Sequence, residues 1–413
     1  MKELSYMIVI PTDEKDVEDP QILINRLRGN DHVQISNIEQ DDNMGIVVDL
    51  LLDSKPYSIA IDLDEVEIPD FIRAEHDFTE EEIVVIEKTK VGVSVCMEFD
   101  DDCLKCFHDQ LRIIDAMFYK IVAVLDCPAE KLLSGRWVSL VAISHIPPAP
   151  RYLFTVQAIM GGAEDEEVWL HTHGLKRCGL YELEILGSNR EMYNEHYNII
   201  ATFASRMIES EEMIEPGEGV FIARAEDYYV VCTAVDWREA IKYYPYAELG
   251  KNEDRADEVH SEDTYAIMLY KNPQDEEDRI YSVVQEYDIF LKNNPMYMIS
   301  TSETERMRRL AIERVPYLLV AAGNKENDIL IKIGLETDEE YWDDGVSKRE
   351  HIWFELLNAN EEGMTVRLTQ NPYYISGLKE GDVREYTYKD ITDWIIYTKN
   401  GRITPDEVYL LGV

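Results

Sequence analysis

Apolar residues along this chain recur with two periods: they alternate with polar residues in short runs, and they lie three or four positions apart in longer segments. Alternation is typical of a half-buried strand, and the longer spacing is typical of an amphipathic helix. In the first third of the chain, runs rich in valine and isoleucine predict strands. These predicted strands span residues 7–10, 45–51, 57–63 and 83–95.

Two helices are predicted between these strands. Asp19 is a typical helix cap and begins a short helix over residues 20–28. A longer helix is predicted from residue 101 or 102 to residue 125. Its apolar residues recur every three or four positions, so one face of the helix is expected to pack on a sheet.

The middle of the chain continues this mixture after a proline-rich turn at residues 145–150. A helix is predicted over residues 191–208, and a short one at Trp237. The predicted strands span residues 152–159, 168–170, 181–186, 219–224, 228–233 and 265–270. We therefore place a region boundary at the proline-rich turn.

The last hundred residues are predicted to be rich in strands. Residues 301–305 form a capping sequence for a helix over 306–314, which Pro316 is expected to end. The predicted strands span residues 317–321, 329–335, 351–357, 364–368, 383–386 and 391–396, and a last short helix spans 404–411. One helix with several short strands predicts a small twisted sheet or a partly open barrel.

The pattern as a whole predicts a multidomain α+β protein with mixed or antiparallel sheets and packed helices. We delimit an N-terminal region at 1–148, a middle region at 149–298 and a C-terminal region at 299–413. The C-terminal region is predicted to be a small β-rich domain with one leading helix.

The charge of the chain narrows the classes of partner. Its 413 residues include 40 Lys and Arg against 83 Asp and Glu, a formal net charge of −43 at pH 7. Binding to a phosphate backbone or to an anionic membrane surface requires clustered basic residues, so we expect neither nucleic acid nor a membrane as a partner. An acidic excess of this size favours a basic protein partner.

We expect the chain to lie in the cytoplasm with reduced thiols. Its N-terminal apolar run, residues 6–11, is too short for a secretory signal and predicts a first strand. No stretch approaches the roughly eighteen apolar residues that a membrane span requires. The six cysteines are too sparse for a disulfide scaffold.

Five motifs near the C-terminus occur in the order and spacing of a known family. They are EHIWFE at 350–355, VRLTQNP at 366–372, LKEGD at 378–382, ITDW at 391–394 and NGR at 400–402. This part of the chain resembles domain of unknown function family 2314, the bacterial YegJ-like proteins. It departs from that family at ITPDE, 403–407, where a glycine-rich segment is expected.

A second resemblance lies upstream. The segment VWLHTHGLKRCGLYELEI at 168–185 resembles a motif of a second family, domain of unknown function 4026, which is fused to the first. The two resemblances imply a domain architecture, and neither implies an activity.

His171 and His173 are the strongest chemical candidates in the sequence. Residues two apart in a strand point to the same side, so both imidazoles are placed to face one metal ion, and Glu182 and Glu184 repeat this spacing. Two histidines and a carboxylate suit zinc or iron. The alternative is structural, because Gly174 indicates a turn in which the histidines hydrogen-bond to backbone or carboxylate groups.

Cys103 and Cys106 form a CxxC pair with His108 close by. A zinc site needs a second pair, and the thioredoxin and haem motifs need neighbours that this segment lacks. On the predicted helix Cys103 lies on the same side as Phe107, which favours a place in the core.

The C-terminal region offers a candidate binding surface. Trp353 and Trp394 both fall in predicted strands and are placed to share one face of the small sheet, where Asp393 accepts hydrogen bonds from a neighbouring turn. With Tyr373 and Tyr374, the tryptophans form a candidate aromatic surface for recognition of a peptide or protein. The alternative is that the tryptophans belong to the core.

Two functions of different classes follow from these candidates. The first is protein–protein binding without catalysis, in the specific form of an immunity-like inhibitor of a basic toxin. The second is a metal-dependent hydrolase centred on His171 and His173, with Glu182 or Glu184 as ligand or base. A structural or regulatory role in a larger assembly is a third hypothesis.

The excess of carboxylates predicts that salt stabilises the fold. Added NaCl screens the repulsion between like charges, so we expect the melting temperature to rise between about 20 mM and about 500 mM NaCl. Calorimetry or circular dichroism at a series of NaCl concentrations measures this shift. A melting temperature that salt leaves unchanged contradicts the prediction.

Overall fold

The computed structural model describes residues 3–41, 45–162, 166–225, 228–255, 264–292, 295–344 and 348–412. The chain divides into two compact units. The larger unit comprises Met1–Ala142 and Ala149–Ser300, and the smaller comprises Ile143–Pro148 and Thr301–Val413. The described residues form helices and three mixed or antiparallel sheets, which confirms the α+β class.

Eight of the described strands form the first sheet of the larger unit, in the order β2-β3-β4-β6-β1-β7-β8-β5. Neighbouring strands are antiparallel except β5 and β8, which are parallel. The strands are β1 (Ser5–Pro11), β2 (Val33–Asp41), β3 (Gly45–Leu52), β4 (Lys55–Glu65), β5 (Arg73–Ala74), β6 (Val91–Met97), β7 (Ile121–Asp126) and β8 (Lys131–Ser134).

The helices that accompany this sheet are α1 (Pro20–Arg28), α2 (Glu80–Lys88), α3 (Cys103–Met117) and α4 (Gly135–Ala142). The bounds of α1 are those predicted, and the Asp19 carboxylate caps it by accepting a hydrogen bond from the Gln21 amide at 3.0 Å. Helix α3 contributes a buried face that includes Phe107 and Leu111.

Two predicted elements of this region have different bounds in the structure. The predicted strand over 83–95 is divided, because Thr79 and Glu82 form a capping box that starts α2 and leaves only β6 extended. The predicted helix over 101–125 ends at Met117, and its last five residues, 121–125, belong instead to the fully buried strand β7. A continuous apolar run does not distinguish a buried strand from a buried helix.

Seven of the described strands form the second sheet of the larger unit, in the order β15-β12-β13-β14-β11-β10-β9. The strands are β9 (Thr155–Gly161), β10 (Glu167–His173), β11 (Glu182–Asn189), β12 (Val220–Ala225), β13 (Tyr228–Asp236), β14 (Thr264–Tyr270) and β15 (Met296–Tyr297). The helices are α5 (Tyr193–Glu209), α6 (Trp237–Ala240), α7 (Pro273–Asp278) and α8 (Asp288–Leu291). Strands β11 and β14 are parallel, and the other neighbours are antiparallel.

The smaller unit contains an antiparallel sheet of six strands within the described ranges, in the order β19-β18-β17-β16-β20-β21. These strands are β16 (Asp328–Glu336), β17 (Arg349–Ala359), β18 (Met364–Leu368), β19 (Val383–Tyr386), β20 (Ile391–Thr398) and β21 (Gly401–Ile403), and they follow α9 (Thr301–Glu313) and α10 (Val315–Ala322). One face of the sheet is buried and includes Ile331, Phe354 and Trp394.

The strand predicted over residues 317–321 is wrong, since these residues belong to α10. Pro316 lies in the first turn of that helix, where its missing N–H removes no intrahelical hydrogen bond. A proline after α9 therefore starts a second helix as well as ending the first.

The proline-rich segment Ile143–Pro148 belongs to the smaller unit. The Glu313 carboxylate accepts hydrogen bonds from the Ser144 hydroxyl at 2.7 Å and from the His145 amide at 3.0 Å. Arg306 adds a hydrogen bond to the Pro147 carbonyl at 3.5 Å. Side chains of α9 thus hold a segment that is distant in sequence.

Across the described ranges, no helix combines the length and the apolar character that crossing a membrane requires.

Candidate functional site

The two histidines of the candidate metal site lie side by side on β10 and are buried, at 3 % exposure for His171 and 9 % for His173. Their ring centroids are 4.8 Å apart in an edge-to-face arrangement, and the Trp169 ring lies 5.0 Å from His171. The period of two along a strand therefore places both imidazoles together, as the sequence predicts.

The two glutamates have other partners. Glu184 receives two hydrogen bonds from Arg255, at 2.8 and 2.7 Å, and one from the Trp169 indole at 2.9 Å. One carboxylate oxygen of Glu182 accepts hydrogen bonds from three successive backbone amides, those of residues 174–176, at 3.0, 2.9 and 3.2 Å. Its other oxygen accepts one from the Thr172 hydroxyl at 2.6 Å.

The structure therefore does not assemble the predicted set of His171, His173, Glu182 and Glu184 around one position. Among the residues that the structure describes, no group of three or more His, Cys, Asp or Glu side chains is placed to hold a metal ion. The spacing of two along β10 places the two imidazoles together, as predicted. The two carboxylates do not join them, because other hydrogen-bond donors already bind Glu182 and Glu184.

His173 instead faces the first sheet of the same unit. Its Nδ1 lies 3.6 Å from a carboxylate oxygen of Glu130, in the turn between β7 and β8. The Gln157 side chain donates a hydrogen bond to the other oxygen of Glu130. The end of β10 is thus in contact with the N-terminal region.

The chain turns directly after His173 at a position where only glycine fits. Gly174 has φ +110°, and a Cβ atom there would lie 2.5 Å from the Leu153 carbonyl oxygen and 3.1 Å from the Ala129 side chain. The backbone of this turn therefore packs closely on the first sheet's β7–β8 turn, while Glu182 satisfies its amides from the other side.

Arg177, three residues further on, makes the central contact. It is fully buried and forms a bidentate ion pair with the fully buried Asp126, at 2.7 and 2.9 Å. It also donates hydrogen bonds to the Leu153 carbonyl at 2.7 Å and the Ser5 hydroxyl at 3.2 Å, and its guanidinium lies 5.1 Å from the Phe107 ring centroid.

We use the name interlock for the loop 174–178 together with Asp126 and Glu182. The interlock connects the end of β7 in the first sheet to the β10–β11 connection of the second sheet. Because a desolvated charge needs a partner in good geometry, each member is fixed by the others. The sequence motif that resembled a metal site thus holds two sheets of one unit together.

The first prediction from the interlock concerns its ion pair. Arg177→Met leaves the Asp126 carboxylate buried without its partner, so we expect the free energy of unfolding to fall by about 3–5 kcal/mol. Urea denaturation followed by circular dichroism measures this change.

A matched control uses an exposed pair of the larger unit. Lys292 lies 2.7 Å from Glu191, with exposed fractions of 46 % and 73 %. We expect Lys292→Met to change the free energy of unfolding by less than about 1 kcal/mol. Equal effects of the two substitutions contradict the central role of Arg177.

The second prediction concerns pH. Burial raises the pKa of Glu182 to about 7, above the usual value near 4.5, and the hydrogen bonds that it accepts oppose this shift. The folded state then holds the proton more tightly than the unfolded state. The contribution to stability is therefore present at low pH and is lost as pH rises through about 7.

Glu182→Gln removes this titration and keeps the shape of the side chain. Between about pH 5 and about pH 8, we expect the native protein to lose up to about 3 kcal/mol of unfolding free energy relative to the variant. Urea titrations of both proteins over this range give the difference. A difference that is independent of pH contradicts the raised pKa.

The candidate aromatic residues of the smaller unit are divided between the two faces of the sheet. Trp394 is fully buried on the core face, and its indole donates a hydrogen bond to the Ala311 carbonyl at 2.9 Å. Trp353 pairs across strands with Lys332, whose Nζ lies 5.4 Å from the indole centroid, and Asp393 pairs with Lys332 on the other side. Burial raises the pKa of Asp393.

The expected sharing of one face by Trp353 and Trp394 is therefore wrong. Trp394 pairs with Ile331, whereas Trp353 pairs with the next residue of β16, Lys332. Neighbouring residues of a strand point to opposite faces, so the register separates the two tryptophans. Asp393 accepts its hydrogen bond from the Trp394 amide at 2.8 Å.

Tyr373 and Tyr374 lie in the loop after β18, with exposed fractions of 78 % and 37 %. Both backbone amides donate to the Glu350 carboxylate, at 2.8 and 2.9 Å, which fixes the loop beside the start of β17. The Tyr374 carbonyl accepts a further hydrogen bond from the Asp338 amide at 2.9 Å. The two tyrosine side chains are therefore open to contact by a partner, while hydrogen bonds hold the backbone that carries them.

The structure adds Tyr341 to the candidate aromatic surface, a residue that the sequence analysis did not identify. The Tyr341 ring lies 5.3 Å from the Tyr374 ring, and the carboxylate of neighbouring Glu340 raises the pKa of Tyr341. Tyr341 lies in the short helix Glu339–Asp344, more than thirty residues before the other tyrosines, and a single tyrosine in a polar segment carries no sequence signal.

We define the aromatic–acidic patch as the rings of Tyr341, Tyr373 and Tyr374 with the carboxylates of Asp338, Glu340 and Glu350. The Asp338 carboxylate accepts hydrogen bonds from Ser376, which hold its pKa below the usual value, so this group is ionised at neutral pH. Rings and carboxylates together suit a cation on a flat side chain, such as arginine.

Comparison with family models finds three matches along the chain. Residues 5–148 match the model described as protein of unknown function (DUF4026) N-terminal, and residues 156–268 match its C-terminal counterpart. Residues 323–404 match the uncharacterized protein conserved in bacteria (DUF2314). Comparison with curated proteins and with solved structures gives no match.

Proposed function

We propose that this chain, which joins both parts of the DUF4026 family to a DUF2314 domain, is a binding protein that captures a basic protein partner through the aromatic–acidic patch. The observation that carries the proposal is the cluster of tyrosine rings, with Tyr373 at 78 % exposure, beside the carboxylates of Asp338, Glu340 and Glu350. Exposed aromatic rings on a fixed backbone are typical anchors of protein interfaces.

Two features of the patch suit a cationic side chain. Tyrosine rings attract guanidinium and ammonium groups at their faces, and carboxylates provide charged acceptors at the rim. The backbone of the loop is already fixed by Glu350 and Asp338, so binding needs to order only side chains.

The charge of the whole chain supports the same partner class. A net charge of −43 creates a long-range field that accelerates encounter with a basic protein and repels acidic ones. This effect weakens as ionic strength rises.

Two carboxylates near the histidine motif, those of Glu182 and Glu184, have raised pKa values. Their contacts favour a structural role over a catalytic one. Both side chains are buried. Glu182 accepts hydrogen bonds from backbone amides, and Glu184 accepts them from Arg255. The interlock explains the environment of Glu182, and hydrogen bonds from Arg255 and Trp169 explain that of Glu184, so neither carboxylate requires a reacting group nearby.

The narrower form of the proposal is an immunity-like inhibitor, which neutralises a basic toxin or nuclease in the bacterial cytoplasm. An acidic surface that covers the basic, nucleic-acid-binding face of a nuclease blocks it by competing with phosphate groups. The six cysteines of the 413-residue chain are too sparse for a disulfide scaffold, which suits a reducing compartment.

The test uses a fluorescent peptide of alternating arginine and glycine as the probe, with its glutamate counterpart as a negative control. We expect Tyr373→Ser to raise the dissociation constant of the arginine peptide about ten-fold, because it removes an exposed ring anchor. Fluorescence anisotropy measures binding at about 50 mM and about 300 mM NaCl, and we expect the affinity to fall at the higher concentration.

Two matched controls separate the patch from the general surface. Tyr246, at 93 % exposure in the larger unit, is changed to serine, and Glu340→Gln is compared with Glu361→Gln on another exposed turn. Only the patch variants are expected to weaken binding. Equal effects of patch and control variants, or affinity that is independent of salt, overturn the proposal.

A further inference from the structure

A cleft of the larger unit lies where the edge strands of its two sheets, β5 and β9, meet helix α5. Its volume is about 490 Å³, which is within the usual range of ligand sites. The lining includes Phe71, Arg73, residues 155–158 of β9, and Tyr193 and Tyr197 of α5. Neither the interlock nor the aromatic–acidic patch uses these residues.

Arg73 provides the positive charge of the cleft. Its guanidinium donates a hydrogen bond to the Tyr197 hydroxyl at 3.2 Å. Glu75, two residues further along the chain, pairs instead with Lys131 at 3.4 Å. In the described part of the chain, no carboxylate lies within ion-pairing distance of Arg73. The guanidinium is therefore available to a carboxylate from another molecule.

Aromatic rings form the apolar part of the lining. Tyr193 and Tyr197 are one turn apart on α5, and their ring centroids are 6.1 Å apart. Phe71 is 57 % exposed, so the cleft is open to solvent on that side. Rings close to a guanidinium suit a ligand that carries an apolar group beside its carboxylate.

Strand β9 adds an unpaired backbone edge. Within the described ranges its one neighbour in the sheet is β10. Alternate residues of an antiparallel strand direct their N–H and C=O groups away from that neighbour. The sequence of β9, TVQAIMG, contains no charged residue and no proline, which are the residues that usually protect an edge strand. An extended chain can therefore pair with this edge.

We propose that the cleft binds the C-terminal end of an extended polypeptide, which pairs as a strand with the outer edge of β9 and places its terminal carboxylate on Arg73. The last side chain of this polypeptide lies against the rings of Tyr193 and Tyr197. A chain end supplies both features that the cleft recognises, a carboxylate for the guanidinium and regularly spaced backbone groups for the strand.

The charge of the chain favours a carboxylate over a phosphate in this cleft. One guanidinium balances one negative charge, and the net charge of −43 opposes each further one. A phosphate monoester carries nearly two charges at neutral pH, so a nucleotide is not expected here in spite of the aromatic rings.

The test titrates the full-length chain with peptides in a calorimeter. Four acetylated hexapeptides share the sequence STVTV and end in leucine, valine, phenylalanine or tyrosine, so the terminal carboxylate is their only charge at neutral pH. We expect at least one to bind with a dissociation constant below about 1 mM. Its C-terminal amide is expected to bind about ten-fold more weakly.

Small ligands distinguish the chain end from other sources of negative charge. Benzoate supplies an aromatic carboxylate without a backbone, and adenosine monophosphate supplies a ring with a phosphate. We expect both to bind more weakly than the best peptide. No binding by any of the four peptides, equal binding of the amide, or equally tight binding of either small ligand overturns the proposal.

Two arginine variants locate the site. We expect Arg73→Gln to raise the dissociation constant of the free peptide about ten-fold and to leave that of the amide unchanged. Arg238→Gln, on α6 of the same unit, replaces an arginine of 48 % exposure and is expected to change neither. Circular dichroism and the melting temperature show that each variant folds. Equal effects of the two substitutions contradict the role of Arg73.

Methylation of single amide nitrogens in the best peptide tests the strand pairing. A paired strand uses the N–H groups of alternate residues, so methylation is expected to weaken binding at every second position and to have little effect at the positions between. Effects that do not alternate contradict pairing with β9.

Discussion

The larger unit depends on one buried ion pair, formed by Asp126 at the end of one sheet and Arg177 in a connection of the other. Removing two charges from water is costly, and only good geometry and additional hydrogen bonds offset that cost. Arg177 meets both conditions, because it is bidentate to Asp126 and also donates to the Leu153 carbonyl and the Ser5 hydroxyl. The chain around it is constrained accordingly.

Several features of the histidine motif follow from that constraint. The turn at Gly174 has to pass within van der Waals contact of the first sheet for Arg177 to reach Asp126, and only glycine allows this. The amides exposed by the turn need an acceptor in the interior, which is the Glu182 carboxylate. Gly174 and Glu182, which belong to a segment with the residue types of a metal site, therefore serve to place the buried Arg177 against Asp126.

The smaller unit shows how a sheet with one buried face provides a surface for recognition. Its core face is filled by Ile331, Phe354 and Trp394, while the loop after β18 returns beside β17 and carries Tyr373 and Tyr374 outward. Backbone hydrogen bonds to Glu350 hold that loop, so the rings are exposed without a loss of order in the chain. The excess of acidic residues then favours association of this surface with basic proteins over acidic ones.

The sequence alone determined most of the local structure, including the caps and bounds of α1, the positions of the strands β16 to β20 and the common direction of His171 and His173. These features depend on neighbours a few residues apart, through caps and periodicity. Only the tertiary structure decided that 317–321 is a helix, that Trp353 and Trp394 lie on opposite faces, and that Arg177 meets Asp126. These features arise from contacts between segments that are distant in sequence: the register of strands, burial, and the partners of a charged group. Local patterns of residues, on which the sequence analysis relied, do not report such contacts.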